Sequence, residues 1–481
     1  MNATEITRAF QLRWEAKLES ETWSTPAVVD NGRHSVVLVC DRSGSIGALD
    51  GVSGARMWQS HLPDVVTSSP LTTEGIAIWS SHDGSLLATD AFTGAEIWSA
   101  SRSAVVRATA AAADVDGDGA SEVVIADYAD RVACLDLLTG EPRWEVKLPR
   151  LRVADPATRG IVASPSIADV DGDGQTEVIV GTRAKRLYCL DAATGQLKWL
   201  RRFGYCIDLT ATPAVIDGVP LLFVGTGESL TGIGDSSVYA LDGADGRACW
   251  RTKLRGGVDA SPVLVAGGVH LTPRLFVSTL ADASCYAIDA ASGRIEWRHR
   301  FGPTDLCVHD DENVCRIAGR GYATHDAVCR SYATPVGGDL DGDGELEIVF
   351  GSNNGTVVCL RATSGDLVWH EQTGGAVRGS PLLADVDGDG RDELVVASGD
   401  RLLTFSTQSV AAGWAMFKGG PRHDGRIGPW SESANPRSAQ RVRERWARLT
   451  ALGWDAGRFG AYLFDRRILA PFGLDRSRSI Y

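Results

Sequence analysis

An all-β fold, an eight-bladed β-propeller of four-stranded antiparallel blades, is predicted by three observations. A tryptophan recurs at Trp58, Trp98, Trp144, Trp199, Trp250, Trp297, Trp369 and Trp414, each eight residues after a position held by Asp50, Asp90, Asp136, Asp191, Asp242, Asp289, Arg361 and Ser406. A Ser/Thr-Pro step recurs in the same frame at Pro26, Pro70, Pro165, Pro213, Pro262, Pro335 and Pro381, with Ala110 as a degenerate copy. Between these marks lie short runs such as PSIAD, EVIVGT, RLYCLD and KWLRRF, rich in Val, Ile, Leu and aromatics and bounded by Gly or Asp turns. Four such strands in about 40–50 residues is the period of a propeller blade.

Each element has a physical reason. One four-stranded blade cannot bury both faces, so blades stack around an axis, and closing the ring removes exposed sheet edges. The recurring tryptophan is then an inter-blade packing residue. The turn before it carries Gly54, Gly94, Gly140, Gly195, Gly246, Gly293 and Gly365, and only the eighth unit lacks the glycine, with Val410 there. The segment around Trp14 (FQLRWEAKLES) reads as an outermost strand with no inner strands before it, suited to completing the eighth blade. The segment after Trp414 competes for that place. The propeller is expected over residues 1–428 and a partly helical extension over 429–481, where Ala439–Leu452 is a basic amphipathic helix candidate.

Composition bounds the function. Hydrophobic residues make 44% and charged residues 23% of the 481, ordinary for a globular chain, and the net charge of −13 argues against a general nucleic-acid surface. No apolar segment approaches the roughly 20 residues needed to span a bilayer. The N-terminus lacks a basic start followed by an apolar run, so a cytoplasmic location with ten reduced cysteines is expected. Cys134, Cys189, Cys285 and Cys359 fall beside the repeated Leu-Asp step and read as small buried hydrophobes.

Four acidic loops share one pattern: Asp114-Asp116-Asp118-Glu122, Asp169-Asp171-Asp173-Glu177, Asp339-Asp341-Asp343-Glu347 and Asp385-Asp387-Asp389-Glu393. Alternate carboxylates converge, a glycine at the sixth position permits the turn, and a carbonyl at the seventh with the acid at the ninth can complete an oxygen cage. Hard oxygen donors with this charge suit Ca²⁺ better than Mg²⁺, so up to four structural calcium ions are expected, each pinning the link between first and second strands.

In a propeller the residue entering the innermost strand lines the central funnel. Three positions before the aligned Pro, that residue is Trp23, Thr67, Arg107, Val162, Thr210, Asp259, Tyr332 and Arg378. A ring made only for packing would be small or apolar. Trp23, Arg107, Asp259, Tyr332 and Arg378 are therefore ligand-binding candidates, the arginines clamping an anion and Asp259 accepting a proton; a salt-bridged, hydrated channel is the alternative. The insertion at 303–331 carries Cys307, His309, Asp310, Asp311, Glu312, Cys315, His325, Asp326 and Cys329 and is read as a lid on the same rim. Its Cys and His spacing matches no standard zinc knuckle. Asp208 and Cys206 enter that rim from the fifth unit, and Asp208, His325 and Cys329 join Arg107, Asp259, Tyr332 and Arg378 as catalytic candidates. A second insertion, LRVADPATRG, precedes Ile161.

The repeats YCLDAATGQLKW and ATDAFTGAEIW resemble those of PQQ-like quinoprotein propellers, and the DxDGDG segments are similar to the calcium loops of FG-GAP/VCBS repeats. The ending WAMFKGGPRHDGRIG resembles the tail that often finishes such bacterial propellers. The resemblance implies the fold over roughly residues 10–428. It does not imply PQQ as cofactor: the dehydrogenases carry a vicinal Cys-Cys pair that this sequence lacks. The expected function is a calcium-stabilised propeller whose polar funnel binds a small ligand or a partner protein at its rim. The alternative is an enzyme using the funnel and the 303–331 lid, acting on a specialised metabolite.

Overall fold

The strands follow from the hydropathy of each repeat. Second and third strands are continuous apolar runs, and Ser35–Cys40, Glu122–Ala126 and Glu177–Thr182 are buried along their whole length. Outer strands such as Glu96–Ser101 and Pro142–Lys147 put every second residue in solvent. The inner strands therefore sit between neighbouring sheets and the outer ones form the rim. The computed structural model describes residues 9–32, 34–149, 159–228, 234–258, 260–265, 272–279, 284–300 and 333–410, together with the backbone of three short strands between 308 and 321.

Eight four-stranded antiparallel sheets result. Blade 1 comprises Ala27–Asp30, Ser35–Cys40, Ser45–Asp50 and Arg56–His61; blades 2 to 6 follow in chain order to Ile295–Arg300, and blade 7 runs from Val336–Gly338 to Leu367–Gln372. Blade 8 takes Leu382–Ala384, Glu393–Ser398 and Arg401–Phe405 from one end of the chain and Leu12–Lys17 from the other. Trp14 lies opposite Thr404 and Lys17 opposite Arg401 in that closing pair. Trp14 thus occupies the eighth outer strand, the place that chain-order spacing assigned to Trp414, which lies outside the described residues. The expected C-terminal helix also lies outside them. Val308–His309, Cys315–Ile317 and Arg320–Gly321 form a separate three-stranded sheet within the long insertion. Among the described residues no helix is long and apolar enough to cross a membrane.

Two interlocks join the blades. The first uses the tryptophans: Trp14 Nε1 donates to Gly51 O at 2.8 Å, Trp98 Nε1 to Leu137 O at 2.8 Å and Trp199 Nε1 to Gly243 O at 2.8 Å, each reaching the turn of the next blade. The ring lies flat on the turn glycine, so a Cβ on Gly195 would meet Trp144 Cε3 at 2.7 Å. That glycine also has φ +72°, so both the turn and the approach demand Gly. The second interlock is a belt of hydroxyls at the Ser/Thr of the Ser/Thr-Pro step. Ser380 N donates to Thr25 Oγ1, Thr25 N to Ser69 Oγ, Ser69 N to Thr109 Oγ1 and Thr109 N to Ser164 Oγ, all at 2.9–3.0 Å. The residue before proline is held extended, which aims its amide sideways at the next blade.

Candidate functional site

The belt floors the central cavity. About 540 Å³ in volume, the cavity is lined by hydroxyls of the belt and, above them, by Trp23, Thr67, Arg107, Val162, Thr210 and Arg378. Those six are the described members of the funnel ring expected from spacing. Asp259, Tyr332, His325 and Cys329 lie outside the described residues. Asp208 also lines the cavity, whereas the Cys206 thiol turns to the carbonyl of Arg183 at 3.2 Å.

The arginines are not equivalent. Arg378 pairs with Glu21 at 2.7 Å, and the same carboxylate takes Arg42 at 2.5 Å. Both guanidiniums sit against the Trp23 ring, 4.8 Å and 4.4 Å from its centroid. Burial opposes ionisation of Glu21, but Arg42 and Arg378 outweigh it and hold its carboxyl below the usual range. This side of the funnel is a finished ion network, with the Trp23 face engaged by arginines. Arg107 differs: among the described residues it makes no hydrogen bond or ion pair. Its neighbours are titratable. Burial and then the Arg107 charge push the His82 imidazole below its ordinary value, so it is neutral near pH 7 and bonds Thr67 Oγ1 at 2.8 Å. Asp208 Oδ2 lies 3.7 Å from Arg183 Nε, while its Oδ1 is buried without a hydrogen-bond partner among the described residues. Desolvation raises the Asp208 pKa despite Arg183 and Arg107. Arg42, Arg183 and His82 were missed in the sequence because they follow second strands, outside the funnel-ring frame.

The acidic loops bring together the first, third and ninth carboxylates of the expected set, and the fifth (Asp118, Asp173, Asp343 or Asp389) is not part of that cluster. In blade 3 the first aspartate accepts from Gly117 N at 2.7 Å through Oδ1 and from Gly119 N at 3.0 Å through Oδ2. Both glycines have positive φ, +79° and +90°, so the fourth position needs glycine as well as the sixth. The acid at the ninth position ties the loop shut: Glu122 Oε2 accepts from Val115 N, Glu177 Oε2 from Val170 N and Glu393 Oε2 from Val386 N, each at 3.0 Å. In all four loops, carboxylate oxygens of the first, third and ninth residues lie within 4.8 Å of one another. The ninth acids are buried, and desolvation pushes Glu347 up to about 8 and Glu393 up to about 7. Asp341 Oδ2 is buried without a hydrogen bond among the described residues. An all-oxygen donor set in which Asp341 Oδ2 has, among the described residues, only the Arg361 guanidinium at 3.5 Å fits a hard divalent cation. Cys134, Cys189, Cys285 and Cys359 are buried thiols, as read from the sequence.

A family model described as outer membrane protein assembly factor BamB matches residues 11–206 and 208–311, more than half of the chain. The chain belongs to this BamB-type propeller family. A second model, the FG-GAP-like repeat, matches 339–396, which holds the acidic loops of blades 7 and 8. Among curated proteins, the outer membrane protein assembly factor BamB of Burkholderia pseudomallei is 27% identical over 241 residues, covering 47% of this chain and 57% of that one. The serine/threonine-protein kinase AfsK of Streptomyces coelicolor is 27% identical over 299 residues, covering 54% of this chain and 34% of the kinase. The chain thus spans about half or less of the curated relatives it matches. Solved structures share the fold: BamB from Moraxella catarrhalis (TM-score 0.55, 19% identity, 82% of this chain and 99% of that one) and a quinohemoprotein alcohol dehydrogenase from Pseudomonas putida HK5 (0.57, 15%, 84% and 77%). A europium-containing methanol dehydrogenase also aligns (0.58, 12%, 83% and 87%).

Proposed function

We propose that this propeller is a binding scaffold whose funnel receives an anionic group, carried by a small ligand or by an acidic segment of a partner protein, and whose four acidic loops hold structural calcium. One observation carries the funnel reading: Arg107 projects a guanidinium with no partner among the described residues into a cavity of about 540 Å³. An unpaired arginine in a sheltered cleft is a strong site for a carboxylate or phosphate, because both acceptors match its fork. The charges of Arg183 and Arg42 add to the field there, and neutral His82 and Thr67 offer hydrogen bonds beside it. The cavity is fixed by the hydroxyl belt, so little ordering is needed on binding. The assembly-factor name of the Burkholderia relative and of the matching family model favours binding over catalysis.

The loops serve the same end. Ca²⁺ held by Asp114, Asp116, Asp118 and Glu122, and by their counterparts in blades 4, 7 and 8, would neutralise crowded carboxylates and lock the first strand to the second. The funnel reading is tested with inorganic phosphate and citrate as probes by calorimetry on the purified chain and on Arg107→Ala. The expected result is saturable binding lost in the variant at unchanged melting temperature. Equal binding by the two proteins would overturn the assignment.

A further inference from the structure

Each acidic loop already has a cation over it, supplied by the chain. Every outer strand carries a β-bulge at the residue before its tryptophan: the ladder steps from Trp144 to Pro142 past Arg143, and from Trp199 to Leu197 past Lys198. A bulge re-aims one side chain, here back along the blade toward the start of the second strand. Lys198 Nζ lies 2.6 Å from Asp171, 2.7 Å from Glu177 and 3.4 Å from Asp173. Arg143 Nη2 lies 2.8 Å from Glu122 and 3.4 Å from Asp136, and Nη1 pairs with Asp116. In blade 8 the bulged residue is Arg13 of the closing strand, paired with Asp387. Blade 7 has Val368 at the bulge, and the charge comes instead from Arg361, directly opposite Glu347 and 2.6 Å from its Oε1.

The blades without acidic loops show that this is a rule of charge matching. In blade 6 the second strand starts with Arg274 in place of the glutamate, and the bulged residue is Glu296, paired with it. In blades 1, 2 and 5 the second-strand position is Val36, Ile76 or Leu221, and the bulge carries uncharged Met57, Ile97 or Cys249. Seven of the eight blades therefore match charge at these two positions, opposite with opposite or uncharged with uncharged; blade 7 sets Glu347 against Val368 and draws its cation from Arg361 instead.

We infer that Arg143, Lys198, Arg361 and Arg13 are resident counter-ions of the four loops, and that a divalent cation enters a loop by displacing its basic side chain. The displacement half rests on the calcium reading above; the counter-ion half does not. Ionic neutralisation in the metal-free chain comes from the bulge residue in blades 3, 4 and 8 and from Arg361 in blade 7, so the ring stays closed without metal. The loops are then unequal sites. Arg361 faces Asp341, Asp343, Glu345 and Glu347 within 3.5 Å, whereas among the described residues Arg13 forms an ion pair with Asp387 alone, so the blade 8 loop fills first.

The test uses the full chain with Lys198→Met, which keeps an unbranched side chain one atom shorter and removes its charge. Ca²⁺ titration by calorimetry and thermal melting in EDTA are compared with the parent. The expected result is one site at least tenfold tighter for Ca²⁺, a lower melting temperature in EDTA, and a gap that closes at millimolar Ca²⁺. Unchanged affinity together with an unchanged EDTA melt would overturn the inference. A parent that binds no Ca²⁺ while the variant gains a site would sink the calcium reading and uphold Lys198 as the occupant. Should Lys198→Met not fold, Glu177→Lys with Lys198→Glu recreates the arrangement of blade 6. Folding of that pair in EDTA where Lys198→Glu alone fails supports the counter-ion; equal failure of both overturns it.

Discussion

Trp14 Nε1 donates to Gly51 O at 2.8 Å and so joins the strand that begins the described chain to the turn of blade 1. The contact is the same one Trp58, Trp98, Trp144, Trp199, Trp250 and Trp297 make with the next blade, but here it also closes the circle, because the Trp14 strand belongs to blade 8. Trp14→Ala removes the ring, the hydrogen bond and the cover on Gly54. A loss of about 3–5 kcal/mol is expected, the usual range for a buried tryptophan. Gly54→Ala attacks the same contact from the other side: its φ is +69° and a Cβ would meet Trp14 Cε3 at 2.6 Å. It should lose roughly 1–3 kcal/mol. Urea unfolding of both variants checks this, and parent-like midpoints would mean the ring is closed elsewhere.

Ser380 sits in the hydroxyl belt with two jobs, accepting from Thr334 N at 2.9 Å through Oγ and donating its own amide to Thr25 Oγ1 at 3.0 Å. Ser380→Ala leaves the Thr334 amide buried without an acceptor, and an orphaned donor costs about 1–3 kcal/mol. Ser380→Thr keeps the hydroxyl and should stay close to the parent. Faster hydrogen exchange of the Thr334 amide in the alanine variant alone would locate the effect in the belt.

Much of this architecture was legible because it is local. The Asp-to-Trp spacing of eight residues is one hairpin, and the acidic loops are one turn each, so both read directly from the chain. What escaped the sequence reading is what neighbours in space only. The Trp14 segment reads as an outermost strand suited to completing the eighth blade, with the segment after Trp414 as its competitor, and spacing alone cannot choose between them; the structure pairs the Trp14 strand with Arg401–Phe405. The Ser/Thr-Pro step served as an alignment mark, while its hydroxyls in fact bond across blades. The Glu177–Lys198 pair hid for a similar reason: its 21-residue separation is no known motif, though comparing the bulge position across eight repeats would have exposed the charge matching. The split between a paired Arg378 and an Arg107 with no partner among the described residues depends on Glu21 and Arg42, which no funnel-ring spacing includes.

Calcium removal gives a prediction that the bulge cations shape. Each acidic loop carries a built-in positive charge, so EDTA should lower the melting temperature without dismantling the ring. The far-ultraviolet circular dichroism should stay β-type after chelation. Arg143→Met and Lys198→Met combined should make chelation far more damaging, since two loops then keep crowded carboxylates with no cation. Loss of all β signal from the parent in EDTA would contradict this.

Asp208 sets the pH response of the funnel. Desolvation raises its pKa above 3.8 even beside Arg183 and Arg107, so the fold favours the protonated acid. For a carboxyl raised in this way, the folded chain binds the extra proton between the unfolded and the folded pKa. Its contribution to stability is complete below the unfolded value and is lost as pH rises through the folded one. Asp208→Asn, neutral at all pH, should therefore be more stable than the parent at pH 7, with the gap closing in acid. Anion binding follows the same sign: as pH falls and Asp208 gains its proton, Arg107 and Arg183 lose a competing negative charge. Phosphate should bind the parent more tightly toward acid, and at pH 7 it should bind Asp208→Asn more tightly than the parent. His82 adds to this trend only in stronger acid, since its pKa is depressed and acid must reach below its ordinary value to charge it. Calorimetric phosphate titrations at three pH values would decide the matter: a profile for Asp208→Asn as steep as the parent's would remove Asp208 from the site.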